Sequence, residues 1–204
     1  MIKIQTTNVL TELPVFTADL SFVKPQLDLA RRAIDELRVT HPQSPDSNVK
    51  ALYMSPWHSH LLNPKLGPIT DSVVTIAQEV ARSYLSANLA VLNMEMIVTD
   101  CWGVIYEKSD YTQAHHHFPS DLSCVIYLEA SDDSAPIIFG GKLAIKPKTN
   151  LMVMFPGLLT HEVPATAAPR VVLAMNLNKR AVFKVPLTEL QPTAISGTAL
   201  EAPV

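Results

Sequence analysis

Five apolar segments follow one another between residues 94 and 177, and no helical pattern separates them. They are rich in β-branched and aromatic residues and are bounded by turn-forming residues, which is typical of β-strands. Short strands at close spacing predict a protein in which two antiparallel sheets pack as a jelly roll. The segments are MEMIVTDCWGVIYE, SCVIYLEA, APIIF, LMVMF and PRVVLAMNL.

Two amphipathic helices are predicted ahead of these segments. The first starts near Pro25 and runs for about 14 residues. The second is capped by Thr70 or Asp71 and ends near Asn88. Apolar residues recur at helical spacing at Leu27, Ala30, Ile34 and Leu37, and again at Val73, Val74, Ala77, Val80, Ala81, Tyr84 and Leu85. The expected fold is α+β and mainly β: a double-stranded β-helix, or cupin-like jelly roll, with the N-terminal helices packed on one sheet.

The remaining segments are expected to belong to the same single domain. In chain order the parts are an N-terminal strand and helix support region (1–93), the jelly-roll core (94–190) and a tail (191–204). Residues 1–4, together with Val15 and Phe16, predict one or two short edge strands. Residues 41–68 are rich in Pro, Ser and Asn, which predicts a long irregular connection.

The composition argues against several classes of protein. The chain has 204 residues, 48% of them hydrophobic, and a formal net charge of −3, so it has no general attraction for nucleic acid or anionic lipid. Its two cysteines, Cys101 and Cys124, have no CxxC spacing and fit a reducing compartment. No segment predicts a signal peptide or a membrane span. We therefore expect a soluble cytoplasmic protein without nucleic-acid or membrane partners; the composition is compatible with a homo-oligomer.

Histidines are concentrated in the strand-rich half of the chain. If His115 and His117 lie on one strand, their side chains share a face, and His116 points the other way. Two imidazoles on one face can bind one metal ion. His161 follows the segment LMVMF and a turn, so it can approach the pair from a neighbouring strand.

Arg170 follows His161 by nine residues, at the start of the last apolar segment. On a strand it would share the interior face with Val172 and Ala174. Taken alone, an arginine here is more often a surface charge. The HxH pair alone is equally consistent with a histidine-rich loop, and His58 and His60 form a second such pair without any strand pattern around it.

Residues 102–178 resemble the core of the Fe(II)- and 2-oxoglutarate-dependent oxygenases, and above all a small subgroup from phages and marine bacteria. The resemblance rests on WGVIYEKSDYTQAHHHFPSDLSCVIYL, APIIF and LMVMFPGLLTHEVPATAAPRVVLAMNL, in that order. It implies that His115, His117 and His161 bind Fe(II), and that Arg170 binds the distal carboxylate of the cosubstrate 2-oxoglutarate. Tyr127 either adds a hydroxyl donor to that carboxylate or is a core aromatic residue. No catalytic residue beyond the metal ligands is implied.

One ligand departs from the commoner pattern of that family, because His117 stands where a carboxylate is usual. Three neutral imidazoles leave the site with one more positive charge, and Zn²⁺ also accepts three histidines. The carboxylates near enough in sequence to replace the missing one are Asp110, Asp121 and Glu162, but their spacing is not that of the family motif. Trp102 is either a core residue or a platform for substrate, and Asn176 either closes the pocket or satisfies backbone groups.

The function that this resemblance implies is a non-haem iron(II) dioxygenase, which couples 2-oxoglutarate decarboxylation to hydroxylation of a substrate. A protein side chain such as proline and a small metabolite are both compatible with the sequence. A cupin-like metalloenzyme with the same histidines would not need 2-oxoglutarate or Arg170. A noncatalytic jelly-roll binding module is the third hypothesis.

Overall fold

The computed structural model describes residues 12–84, 89 and 92–182. Three predicted features lie outside the described residues: the strand at residues 1–4, the end of the second helix near Asn88, and the tail. Among the described residues, no helix is both long enough and apolar enough to cross a bilayer.

The helices precede most of the strands, as predicted. They are α1 (Lys24–Thr40), α2 (Ser59–Leu62) and α3 (Gly67–Tyr84), with short 3₁₀ turns at Ser21–Val23 and Pro64–Leu66. Pro25 lies in the first turn of α1, where its missing N–H costs no hydrogen bond. The helix α3 begins at Gly67 and not at Thr70 or Asp71, because a 3₁₀ turn capped by Asn63 leads directly into it.

Eleven strands lie within the described residues. They are β1 (Phe16–Asp19), β2 (Val49–Lys50), β3 (Tyr53–Met54), β4 (Met94–Tyr106), β5 (Tyr111–His115), β6 (Leu122–Ala130), β7 (Ile137–Phe139), β8 (Leu143–Ile145), β9 (Leu151–Pro156), β10 (His161–Val163) and β11 (Arg170–Ala181). The strands β4, β6, β7, β9 and β11 correspond to the five predicted segments. The prediction of an irregular connection over 41–68 was wrong in part, because it contains β2, β3 and α2.

The strands form two antiparallel sheets, which confirms the jelly-roll prediction. The six-stranded sheet has the order β1-β9-β6-β11-β4-β3, and the five-stranded sheet has the order β2-β5-β10-β7-β8. The predicted edge strand at Phe16 is β1, which pairs with β9. Since β2 and β3 also join the sheets, the N-terminal region contributes strands as well as helices.

Two apolar layers hold these elements together. The outer layer lies between the helices and the six-stranded sheet and includes Ile34 of α1, which is fully buried. The inner layer fills the space between the sheets; its members include Trp102, Tyr106, Tyr127, Phe139, Phe155 and Val172. A Cβ atom at Gly103 would lie 2.4 Å from Cγ1 of Ile34, so the glycine permits close contact between α1 and β4. Because the inner layer lies between the two sheets, side chains that enter it come from the inward-facing positions of both sheets.

Candidate metal centre

Three imidazoles meet at one end of the inner layer. His115 ends β5, His161 begins β10, and the two residues pair directly across these strands. His117 lies two residues beyond β5. The ring centroids are 4.3 to 5.1 Å apart, and one nitrogen of each ring lies within 4.8 Å of the other two. Three nitrogen ligands at this separation can hold one metal ion.

An irregularity in β5 turns His115 toward the interior. Thr112 pairs with Val163 and His115 pairs with His161, so two residues of β5 lie between these pairs where β10 has one. An extra residue of this kind reverses the alternation of side chains. Thr112 and His115 therefore both face inward, although a regular strand would place them on opposite faces.

His117 is held by contacts beyond the end of the strand, so the prediction of one regular strand through both histidines was wrong. Its backbone N–H donates to the carbonyl of Gly157 at 2.6 Å, and its carbonyl accepts from Ser120 at 2.8 Å. The ring has two aromatic neighbours, Trp102 and Phe155, at centroid distances of 5.7 and 6.4 Å. A Cβ atom at Gly157 would lie 2.2 Å from the Ser120 carbonyl oxygen, so this turn requires glycine.

His116, between the two, has the outward position that was predicted for it. Its side chain is exposed, and its Nδ1 accepts a hydrogen bond from the backbone N–H of Phe118 at 3.2 Å. It does not belong to the group of three rings.

The protonation of the three rings suits metal binding. Burial, together with the neighbouring imidazoles, lowers the pKa of His117 to about 3. Burial lowers the pKa of His161 to about 4 and also lowers the pKa of His115. Nδ1 of His115 lies 2.8 Å from the Gln113 carbonyl oxygen, and Nδ1 of His161 lies 3.1 Å from that of Leu159. Since a carbonyl only accepts, these Nδ1 atoms carry the hydrogen and leave Nε2 free as a ligand.

No carboxylate joins the three histidines within the described part of the chain. Asp110 accepts hydrogen bonds from the backbone N–H groups of Leu52 and Glu107. Asp121 forms an ion pair with Lys179 at 2.6 Å. Glu162 pairs with Ile138 of β7. None of the three acidic residues considered from the sequence is therefore placed to replace His117.

Arg170 is buried at the start of β11, with 2% of its surface exposed. Its Nη1 donates to the carbonyl of Ala135 at 2.6 Å, and its Cζ lies 4.3 Å from the centroid of the Tyr106 ring. Its Nε is buried and has no hydrogen-bond partner. An unpaired buried donor of a charged group is costly, so this atom marks a place for an acceptor.

Two tyrosines surround the guanidinium group. Burial raises the pKa of both Tyr106 and Tyr127, and the charge of Arg170 opposes the rise. The Tyr106 hydroxyl lies 2.6 Å from the Thr112 hydroxyl. Tyr127 belongs to the inner layer, a position that is compatible with both roles considered for it from the sequence. Tyr106 was missed, although it shares the strand alternation of Trp102 and could have been found from it.

The same inner layer connects Arg170 with the histidines. Ala135, which accepts from Arg170, precedes β7, and Phe139 at the end of β7 lies 5.7 Å from the His161 ring. The Phe155 ring lies 4.7 Å from the His161 ring and 4.8 Å from the Phe139 ring. The structure thus brings one guanidinium and three imidazoles to a common interior between the sheets.

The second HxH pair lies elsewhere. His58 and His60 flank the start of α2, and their ring centroids are 6.5 Å apart. Neither belongs to the group of three histidines. Nε2 of His58 lies 3.4 Å from Oδ1 of Asp100.

No protein-family model and no curated protein sequence matches the chain. Solved structures do. A prolyl-4-hydroxylase from Pseudomonas putida matches with a TM-score of 0.59 and 13% identity, over 82% of this chain and 93% of that one. The α-ketoglutarate-dependent epimerase SnoN matches with a TM-score of 0.61 and 11% identity, over 93% and 90%.

A third match is the viral collagen prolyl hydroxylase of Paramecium bursaria Chlorella virus-1, solved as a complex with 2-oxoglutarate. Its TM-score is 0.52 at 16% identity, over 82% of this chain and 96% of that one. The chain shares the fold of these three solved enzymes. At these identities the match concerns the fold, and the chemistry has to be argued from the residues of this chain.

Proposed function

We propose that the protein is a non-haem Fe(II) dioxygenase that couples decarboxylation of 2-oxoglutarate to hydroxylation of a substrate. The observation that carries the proposal is the buried Arg170, whose Nε has no partner, in the same interior as three converging imidazoles. Overall, substrate, 2-oxoglutarate and O₂ would give hydroxylated substrate, succinate and CO₂.

His115, His117 and His161 are the proposed ligands of the iron. The set suits a divalent metal, because each imidazole is kept neutral by burial and two of them are oriented through Nδ1. Three ligands on one side leave coordination positions open, as non-haem oxygenases require. When bound, Fe(II) supplies the activation of O₂ that protein side chains cannot provide.

Arg170 and Tyr127 are the proposed binding groups for the distal carboxylate of 2-oxoglutarate. A guanidinium offers donors in a fixed plane, and here one donor is fixed on Ala135 while Nε is free. Stacking on Tyr106 keeps the group from turning. The surrounding apolar layer excludes water, which strengthens a charge-assisted hydrogen bond to the incoming carboxylate.

The first test is anaerobic addition of Fe(II) and 2-oxoglutarate to the purified protein. We expect the weak visible charge-transfer band that Fe(II) and 2-oxoglutarate give when bound together. On admission of O₂, succinate should form slowly without any other substrate. Succinate that forms in the presence of a chelator, or a band that is absent although Fe(II) is bound, would contradict the proposal.

A second candidate is a cupin-like metalloenzyme that binds its substrate directly. The observation in its favour is the donor set, three imidazoles without a carboxylate, which also suits Zn²⁺. This enzyme would not require Arg170. Metal binding without any effect of 2-oxoglutarate on the bound metal would favour it over the dioxygenase.

A further inference from the structure

A row of polar side chains crosses the six-stranded sheet near the three histidines. Ser123 of β6 donates to Oδ1 of Asn176 of β11 at 2.7 Å, and Nδ2 of Asn176 donates to Oδ2 of Asp100 of β4 at 3.1 Å. Ser123 and Asn176 are 1% and 8% exposed, while 29% of the Asp100 side chain is exposed. The row thus begins with buried groups and ends in a carboxylate that solvent can reach.

An irregularity in β4 sets the direction of that carboxylate. Asp100 pairs with Asn176 but Val98 pairs with Leu177, so Thr99 is an extra residue. Val98 packs into the outer layer, and beyond the extra residue Asp100 takes the same face as Trp102, whose ring is 5.7 Å from His117. Two residues along a strand span about 7 Å. Asp100 therefore lies on the same face as Trp102, about one strand repeat farther from the candidate metal centre.

The charge of Asp100 has weak compensation. One oxygen is fixed by Asn176 and by the Thr99 hydroxyl at 3.3 Å. The other is 3.4 Å from Nε2 of His58, whose side chain is 60% exposed. Among the ion pairs of the described residues, no lysine or arginine is paired with Asp100. A carboxylate in this setting favours an incoming cation, because its fixed oxygen needs no rearrangement and its exposed partner is easily displaced.

An apolar hollow of about 570 Å³ is lined by His58, whose Nε2 lies 3.4 Å from Oδ1 of Asp100. Its walls include Pro45, Pro56, Trp57, His58, Leu61 and Leu62. Trp57, which lines the hollow, contacts Trp102 edge to face with ring centroids 4.9 Å apart. The hollow is thus connected by direct contacts to Asp100 through His58 and to His117 through the two tryptophans. The volume is in the range of sites for small molecules.

We propose that Asp100 binds the protonated amine of a small-molecule substrate, and that the hollow beside Trp57 accepts an apolar part of the same molecule. The inference rests on the proposed dioxygenase function and names its substrate class. The Trp57 ring, which is 37% exposed and lines the hollow, adds a surface that attracts cations. Asp100 lies two residues before Trp102, whose ring is the one near His117. The amine that binds Asp100 and the carbon that is hydroxylated at the metal therefore belong to different parts of the substrate.

Tryptophan fluorescence tests this proposal without metal or turnover, because Trp57 and Trp102 are the two tryptophans of the chain. The probes are n-hexylammonium and 1-hexanol, which differ in charge but share an apolar body. We expect n-hexylammonium to change the emission saturably and to bind about tenfold more tightly than 1-hexanol. Asp100→Asn should abolish this difference.

A matched control removes the same charge at the edge of the hollow. Asp46 is fully exposed, follows Pro45 and lies 3.7 Å from Lys50, so Asp46→Asn should keep the tenfold preference. His58→Ala should keep it as well, since the imidazole is displaced and does not bind the amine. Equal binding of the two probes by the parent protein, or a preference that survives Asp100→Asn, would overturn the proposal. So would loss of the preference in His58→Ala.

The band given by Fe(II) and 2-oxoglutarate separates failure of this inference from failure of the proposed function. It should be unchanged in Asp100→Asn. A parent protein without the band but with the amine preference would contradict the dioxygenase and leave the cation site standing. A parent protein with the band but without the preference would contradict the cation site alone.

Discussion

The guanidinium of Arg170 lies over the ring of Tyr106, with 4.3 Å between Cζ and the ring centroid, and it donates to the Ala135 carbonyl from Nη1. These two contacts fix the plane of the guanidinium, and its Nε is buried without a hydrogen-bond partner. A lysine could reproduce the charge but not the fixed plane or the two simultaneous contacts.

Arg170→Lys should therefore weaken 2-oxoglutarate binding by about tenfold to a hundredfold while metal content stays the same. The measurement is titration of the Fe(II)-loaded protein with 2-oxoglutarate under anaerobic conditions. Arg180→Lys is a matched control, because Arg180 lies on the same strand but is exposed and paired with Glu95. Equal affinity in Arg170→Lys and the parent protein would remove Arg170 from the site.

Alanine at His115, His117 or His161 should each remove most of the bound metal, since two remaining ligands cannot hold it tightly. Alanine at His116 should have little effect, because that side chain is exposed. Metal content after dialysis, measured by mass spectrometry, decides the matter. A His116→Ala protein that loses its metal while His117→Ala keeps it would show that the ligand assignment is wrong by one residue.

Gly157→Ala should destabilise the protein by about 1–3 kcal/mol and lower its metal affinity. The added methyl group would lie 2.2 Å from the Ser120 carbonyl oxygen, so the backbone that holds His117 has to move. Gly67→Ala adds the same group where no atom lies within 4 Å, and should be tolerated. Urea unfolding and metal titration measure the two effects, and a stable Gly157→Ala protein with normal affinity would contradict the described turn.

The metal-free protein should lose stability as the pH falls from about 6.5 toward 4. The folded-state pKa values of His117 and His161, about 3 and about 4, lie below the ordinary value of 6.5. The unfolded state therefore binds more protons in this interval, and the free energy of unfolding decreases by an amount on the order of 5 kcal/mol.

Urea unfolding in the presence of a chelator measures this pH dependence. Carboxylates also titrate in part of the interval, so the informative comparison is with His117→Phe, which should show a shallower slope. An equal slope in both proteins would contradict the low pKa of His117.

The two thiols should react with alkylating reagents only when the protein unfolds. Both cysteines are buried, and burial raises the pKa of Cys101 and raises that of Cys124 to about 12, so little thiolate is present. They cannot form a disulfide in the folded state, because each pairs with Met175 from opposite sides and a whole strand separates them. Mass spectrometry after alkylation, with and without denaturant, checks this; rapid labelling of the native protein would contradict it.

The long apolar strands were predictable from the sequence because they are buried, and burial requires continuous runs of β-branched and aromatic residues. Strands β8 and β10 have three residues each and lie in turn-rich sequence, so they depend on their neighbours for existence. The same holds for β2 and β3 within the stretch that was predicted to be irregular. Pairing partners that are distant in sequence leave no local pattern.

The three histidines and Arg170 were predicted from their spacing and from the family resemblance. The backbone features that hold these side chains in position were not predicted. Strand alternation placed His115 and His117 on one face, and both rings do meet His161, but an extra residue in β5 and a turn at Gly157 bring them there. An extra residue in a strand has no signature in a single sequence. For the same reason the direction of Asp100 could not be foreseen.

Gly103 links the packing of α1 to the surroundings of the candidate metal centre. Ile34 of α1 rests where the side chain of residue 103 would be, and the neighbouring Trp102, on the opposite face of β4, forms the wall beside His117. A larger residue at position 34 or 103 would push α1 and β4 apart, and any shift of β4 would move the tryptophan with it. Substitutions in α1 that are chosen only to improve helix packing would therefore also reach the tryptophan beside His117.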